Sequence, residues 1–158
     1  MSIKPEYLKL FVNATEKAAY GASKFIGKND KIAADQAAVD AMRSELNKID
    51  MTGEIVIGEG SLDQAPMLFT GEILGKKNGP EFDIAVDPLE GTNFAANNLP
   101  GALSVIAVTE KGNLFKAPET YMHKIATAKV EKGLIDIDYS LKKKLNRLNT
   151  FYFIIRKF

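Results

Sequence analysis

The sequence predicts an α/β sandwich in which helices pack on a sheet. Two stretches of helical periodicity open the chain, strand-like apolar runs follow them, and no internal repeat or low-complexity linker divides the 158 residues. Helices that precede a strand-rich segment bury their apolar stripes most simply against the sheet that follows. The length suits one domain with a sizeable core.

Pro5 fits the first turn of a helix, and Leu8, Phe11, Val12, Thr15, Ala18, Ala19, Ala22, Phe25 and Ile26 then recur at helical spacing up to Gly27. A second helix is expected over residues 34–48, with Ala38, Val39, Met42 and Leu46 inward. Strands are expected near Glu54 to Ile57 and from Phe82 to Asp87, where Phe82, Ile84 and Val86 alternate with Asp83, Ala85 and Asp87 to give one buried face. The run Leu103-Ser104-Val105-Ile106-Ala107-Val108 is a further strand. Glu110-Lys111-Gly112-Asn113 then reads as a hairpin-type turn leading into Leu114 and Phe115. Leu134 to Ile137 is a shorter strand candidate, and Leu141, Leu145 and Leu148 mark one face of a short helix.

With 46% hydrophobic and 26% charged residues the composition is that of an ordinary soluble globular protein. The absence of cysteine excludes a disulfide framework and a thiolate metal site. No apolar run approaches the roughly 20 residues of a membrane span, and the N-terminus lacks a signal-peptide core, so the cytoplasm is the expected location and no membrane partner is expected. The net charge of +1 is unevenly spread. Residues 139–158 hold six of the 21 basic residues and no acid, which leaves 15 bases against 20 acids in the rest of the chain. Such a segment reads as a solvated helix face rather than a nucleic-acid contact.

The chemistry concentrates in Asp83-Ile84-Ala85-Val86-Asp87-Pro88-Leu89-Glu90-Gly91-Thr92. Pro88 fixes its own φ and holds Asp87 extended, while Gly91 frees the backbone for a turn, so the carboxylates of Asp87 and Glu90 can converge. Converging hard oxygens suit Mg²⁺ or Mn²⁺, and a backbone carbonyl such as that of Leu89 is a further ligand of that type. Asp-Pro-x-[Asp/Glu]-Gly-Thr arises by chance in about one in ten thousand chains of this length. Two other acids stand in suggestive settings. Glu59 lies between Gly58 and Gly60 at the end of the apolar run Ile55-Val56-Ile57, and Asp35 stands near the start of the second helical pattern, where an acid also serves as a helix cap.

The motif resembles that of the lithium-sensitive phosphatase superfamily. The blocks Asp30 to Arg43, Ile55 to Glu72, Phe82 to Thr92 and Ala117 to Lys124 are similar to the class II fructose-1,6-bisphosphatases of bacteria. The resemblance runs from about Tyr7 to about Leu148 and implies a layered α/β sandwich of the sugar phosphatase type, here truncated, with the phosphatase domain over 1–148 and an atypical tail over 149–158. It implies that Asp35, Glu59, Asp87 and Glu90 ligate the metal, Mn²⁺ or Mg²⁺. Glu90, Gly91 and Thr92 would hold the substrate phosphate, Thr92 would orient the attacking water, Asp63 would assist proton transfer and Tyr121 would contact the sugar phosphate. From the residues alone, Thr92 is equally a turn or helix cap, Asp63 a surface acid and Tyr121 a core aromatic. His123, the only histidine, stays unassigned. The implied reaction is hydrolysis of the 1-phosphate of fructose 1,6-bisphosphate in gluconeogenesis. The alternatives are an inactive fragment, another sugar bisphosphatase or an inositol monophosphatase-like enzyme.

The chain also departs from the pattern. Ser61 and Gln64 stand where acids are usual, and Asn97-Asn98-Leu99-Pro100-Gly101 replaces the expected segment after the motif. The resembled enzymes are about twice this long, and their later half supplies another metal carboxylate and most sugar contacts. The run from Asn149 to Phe158 abandons helical periodicity for aromatic and β-branched residues, as an edge strand or a shifted reading frame would. Exposed apolar surface of this kind favours self-association into a homo-oligomer.

Overall fold

The computed structural model describes residues 3–59, 67–116, 123, 125 and 130–155, and the chain divides into two compact units, Met1–Ala117 and Pro118–Phe158. In the first unit, helices α1 (Pro5–Ser23) and α2 (Lys31–Leu46) precede strands β1 (Thr52–Ile57), β2 (Ile73–Leu74) and β3 (Glu81–Glu90), the short helix α3 (Thr92–Ala96) and strand β4 (Leu103–Glu110). The strands form one mixed sheet in the order β2-β1-β3-β4, with β1 parallel to β3 and the other two pairings antiparallel. The fold is α/β, as the order of patterns implies.

Small residues let the two long helices approach. Ala14, Ala18 and Ala22 of α1 and Ala34 and Ala38 of α2 are all buried in one core with Met42, Leu46, Ile55 and Ile84. Phe82 adds an aromatic corner, edge-on to both Tyr7 at 5.3 Å and Phe11 at 5.6 Å between ring centroids. The buried face of α1 is rotated from the expected one, since Leu8 and Val12 are exposed and Ala14 is fully buried. Periodicity alone could not decide this, because large and small apolar residues satisfy the same spacing. Helix α1 ends at Ser23, and Phe25 and Ile26 continue it only as hydrogen-bonded turns to Ala22 and Ser23.

Helix α2 starts three residues before the expected position. Asp30 is its cap, accepting a 3.0 Å hydrogen bond from the Ala33 N–H. The cap reading of Asp35 is therefore replaced: Asp35 sits inside the helix, one turn further on. Arg43, near the other end of α2, grips Glu72 through Nε at 2.8 Å and Nη2 at 3.2 Å, and Nη2 also donates to the Met67 carbonyl at 2.5 Å. This fork ties the helix to the segment that leads into β2.

Strand β3 is longer than expected and runs through Pro88 to Glu90. Its second face is not simply solvated, because Asp83 is only 3% exposed. Its Oδ2 accepts from Gly112 N at 2.7 Å and Leu114 N at 3.2 Å, so this carboxylate closes the turn after β4. The turn expected at Glu110 to Asn113 is present, but among the described residues Leu114 and Phe115 do not return as a strand. Asp83→Ala is expected to lower stability by about 2–3 kcal/mol, because it strands two N–H groups that now donate to a charged acceptor. A urea denaturation midpoint unchanged by the substitution would contradict that role for Asp83.

In the second unit, residues 134–137 do not form the expected strand but link two turns, with Leu134 N donating to Glu131 O and Tyr139 N to Asp136 O. Helix α4 (Leu141–Ile155) follows, its first turn supported by the Ser140 hydroxyl, which accepts from Lys143 N at 3.3 Å. The helix runs to Ile155, through positions read as an edge strand or a shifted reading frame: once Leu141, Leu145 and Leu148 establish it, local β propensity does not break it. Lys143 and Arg147 both lie over the Tyr139 ring, at 3.6 and 5.5 Å from its centroid.

Candidate metal and phosphate site

A break in the β3–β4 register sets the site. Asp87 pairs with Val105 and Glu90 with Leu103, so three residues advance on β3 while two advance on β4. In a regular strand, side chains three apart project to opposite faces. The bulge removes one step of alternation and turns Asp87 and Glu90 toward the same side. Pro88, which cannot donate to a ladder, is tolerated in this central strand at just such a break. Asp87 accordingly pushes the Glu90 pKa above its usual value, through hydrogen bonding first and charge repulsion second. Gly91 follows with φ +79°, the left-handed conformation that lets the chain turn from β3 into α3 and sets Thr92 at the first position of that helix.

Glu59 is positioned by backbone contact. A Cβ on Gly58 would lie 2.1 Å from the Leu68 carbonyl, which accepts the Glu59 N–H at 2.9 Å. Only glycine permits that approach. The neighbouring Met67 carbonyl is the one held by Arg43, so α2 braces the Met67–Leu68 backbone against which Glu59 is bonded. Helix α2 is in turn joined to α3 through its preceding loop, where Gly27 N donates to Ala95 O at 3.1 Å and Asn29 N to Ala96 O at 2.8 Å.

Asp35 lies half-buried in α2, and burial raises its pKa from the ordinary carboxylate range. Its Oδ1 and that of Asp87 are both enclosed without a hydrogen-bond partner. Of the four expected metal ligands, the structure brings Asp87 and Glu90 together. It does not gather Asp35, Glu59, Asp87 and Glu90 into one cluster, and among the described residues no group of three or more such side chains is arranged to hold a metal ion. The donor set nevertheless suits a hard divalent cation: all oxygen, with two orphaned carboxylate atoms. Asp63 and Tyr121 lie outside the described residues.

Asp30, Arg43, Glu72 and Asp83 were not assigned these supporting roles from sequence, although Asp30 precedes the helical run as caps do. The Arg43–Glu72 and Asp83–Gly112 contacts each join residues 29 apart, which no local pattern announces.

Asp35→Asn is expected to stabilise the metal-free chain at neutral pH. A carboxyl with a raised pKa binds its proton more tightly in the folded than in the unfolded chain, so protonation favours folding. That contribution is lost as pH climbs from the ordinary carboxylate range through the raised pKa. The gain from Asn should therefore be largest at neutral pH and fade on acidification. Melting temperatures of both proteins across pH check it, and a pH-independent difference would point to a cause other than the buried charge.

The bacterial fructose-1,6-bisphosphatase family, glpX-encoded, matches residues 6–152. The D-fructose 1,6-bisphosphatase class 2/sedoheptulose 1,7-bisphosphatase of Thermosynechococcus vestitus is 47% identical over 150 residues, covering 87% of this chain and 43% of the relative. The protein of the same name from Prochlorococcus marinus MIT 9515 is 48% identical over 138 residues, with 87% and 41% covered. A solved structure, an extragenic suppressor from Pyrococcus furiosus, covers 67% of this chain and 41% of its own at 16% identity, and its TM-score of 0.42 is too low to carry the fold. The chain thus spans less than half the length of the curated relatives it matches. With a family match that takes in both long helices, the whole sheet and the Asp87–Thr92 turn, the chain belongs to the bacterial, glpX-encoded fructose-1,6-bisphosphatase family.

Proposed function

We propose that this chain carries the metal-holding and phosphate-holding part of a phosphomonoesterase that removes the 1-phosphate of fructose 1,6-bisphosphate. The observation that supports this reading most directly is the bulge that sets Asp87 beside Glu90 immediately before the Gly91 turn. In this reading Asp87 and Glu90, with Asp35 and Glu59, hold Mn²⁺ or Mg²⁺. When bound, the cation offsets the charge on the phosphoryl oxygens and lowers the pKa of the attacking water. Glu90, Gly91 and Thr92 bind the phosphate, and the Thr92 hydroxyl orients the water for attack on phosphorus as the bond from phosphorus to the sugar oxygen breaks. Asp63 assists the proton transfer, and Tyr121 contacts the sugar phosphate.

A panel of phosphate-release assays tests the reading, using this chain joined to the part of the T. vestitus relative outside the matched segment. Fructose 1,6-bisphosphate should be among the best substrates. Sedoheptulose 1,7-bisphosphate, which gives the relatives part of their name, is the nearest competitor. Preference for inositol monophosphate would replace the proposal with the inositol phosphatase reading. The second reading, a chain silent by itself, is favoured because no three of the four acids, among the described residues, form one metal-holding group.

A further inference from the structure

Arg43 is not among the acids assigned to the cation, yet its contacts converge on the backbone that holds one of them. Its Nε donates to Glu72 Oε1 at 2.8 Å, and its Nη2 donates both to Glu72 Oε2 at 3.2 Å and to the Met67 carbonyl at 2.5 Å. Nη1 adds only a 3.9 Å approach to the exposed carboxyl of Asp40. Met67 and Glu72 bracket Leu68, a fully buried residue of the core. The Leu68 carbonyl accepts the Glu59 N–H at 2.9 Å, and the Glu72 carbonyl accepts the Ile55 N–H at 2.9 Å. The gripped segment is thus bonded to β1 at Ile55 and to the chain just beyond β1 at Glu59. No slack exists at the second point, because Gly58 lies so close to the Leu68 carbonyl that a Cβ there would meet it at 2.1 Å. A shift of the Leu68 peptide therefore carries the Glu59 backbone with it.

The contacts call for a guanidinium. Three acceptor oxygens surround it, and a planar fork meets them together, whereas the ammonium of lysine is a point charge without that shape. The side chains of Arg43 and Glu72 are 23% and 14% exposed, so water screens the pair little. Asp35 stands about two turns earlier on the same helix, so the fork also links the helix bearing Asp35 to the backbone that bonds Glu59.

We propose that Arg43 is a positioning residue for the cation site, acting through Glu59: by holding Met67 and Glu72 it fixes the Leu68 carbonyl, and with it the backbone that presents the Glu59 carboxylate to Mn²⁺ or Mg²⁺. The inference rests on the reading of Glu59 as a metal ligand and adds a source of affinity that lies in no ligand. A carboxylate on a fixed backbone has less freedom to lose on binding than one on a loose backbone.

Mn²⁺ binding to the 158-residue chain, read from the electron paramagnetic resonance signal of the free ion, tests this without turnover. Arg43→Lys keeps the positive charge but not the fork, and Arg43→Gln removes both. Each is expected to weaken Mn²⁺ binding roughly tenfold, the lower end of what groups behind a metal ligand contribute. Glu72→Gln, which leaves the Met67 contact in place, should weaken it by a smaller factor and serves if an Arg43 variant does not fold. Lys48→Gln, which breaks an exposed pair with Glu45 beside the end of the same helix, should bind as wild type does. A merely structural role would lower the melting temperature of the metal-free variants yet leave the Mn²⁺ affinity of the folded chain unchanged, and that result would overturn the proposal. The decisive comparison is made in a Glu59→Gln background, where Arg43→Lys should cost almost nothing further, because its effect passes through the carboxylate already removed. Additive losses would end the proposal while leaving the metal site standing. If Glu59→Gln bound Mn²⁺ like wild type, or wild type bound none, the assignment of Glu59 to the cation would fail and the role of Arg43 would fall with it.

Discussion

Titrating Mn²⁺ or Mg²⁺ into the 158-residue chain is expected to raise its melting temperature, and Asp87→Asn is expected to lose most of that rise. The folded chain already carries the cost that a cation relieves: Asp87 and Asp35 each enclose an unpartnered oxygen, and the Asp87 carboxyl makes ionisation of Glu90 harder. Ligand that binds only the folded state adds about 2.7 kcal/mol of stability at a hundred times its dissociation constant. Asparagine keeps the shape of Asp87 but removes its charge, so most of that gain should disappear. Glu16→Gln, on an exposed turn of α1, should keep the full shift. If wild type and Asp87→Asn were stabilised equally, the carboxyl pair would not be where the metal binds.

The sequence made the architecture legible because its strongest signals were long and periodic. Both helices and the strands around Ile55, Ile84 and Ile106 follow from apolar spacing, with boundaries displaced by a few residues. What escaped was set by contacts distant in sequence. The rotation of α1 depends on how closely Ala14 and Ala18 let α2 approach, and the burial of Asp83 depends on N–H groups 29 and 31 residues away. At the site, the convergence of Asp87 and Glu90 was legible from Pro88 and Gly91, yet its means was not. A turn after a finished strand was expected, whereas the strand continues and a bulge supplies the convergence. The Leu134–Ile137 run shows the opposite failure, since among the described residues these four apolar-rich residues meet no partner strand and form none themselves.

The short chain alone is expected to release phosphate from fructose 1,6-bisphosphate at less than about a thousandth of the rate of the same chain joined to the rest of the T. vestitus relative. Positioning of substrate against water is worth about 7–11 kcal/mol when it is complete, so losing roughly half of it, about 4 kcal/mol, accounts for that factor. In the short chain the pair Asp87–Glu90 is assembled, but Asp35 and Glu59 do not join it in one metal-holding group. Metal occupancy and substrate orientation should therefore fall together, and excess Mn²⁺ should recover only the first. Raising Mn²⁺ in the assay separates the two: a rate that climbs to that of the joined protein would assign the whole defect to metal affinity. Glu90→Gln in the joined protein should lower kcat far more than KM if Glu90 acts mainly through the metal and the phosphate in the transition state. Robust turnover by the short chain, abolished by Glu90→Gln, would show that the acids described here are sufficient and would sink the expectation of a silent fragment.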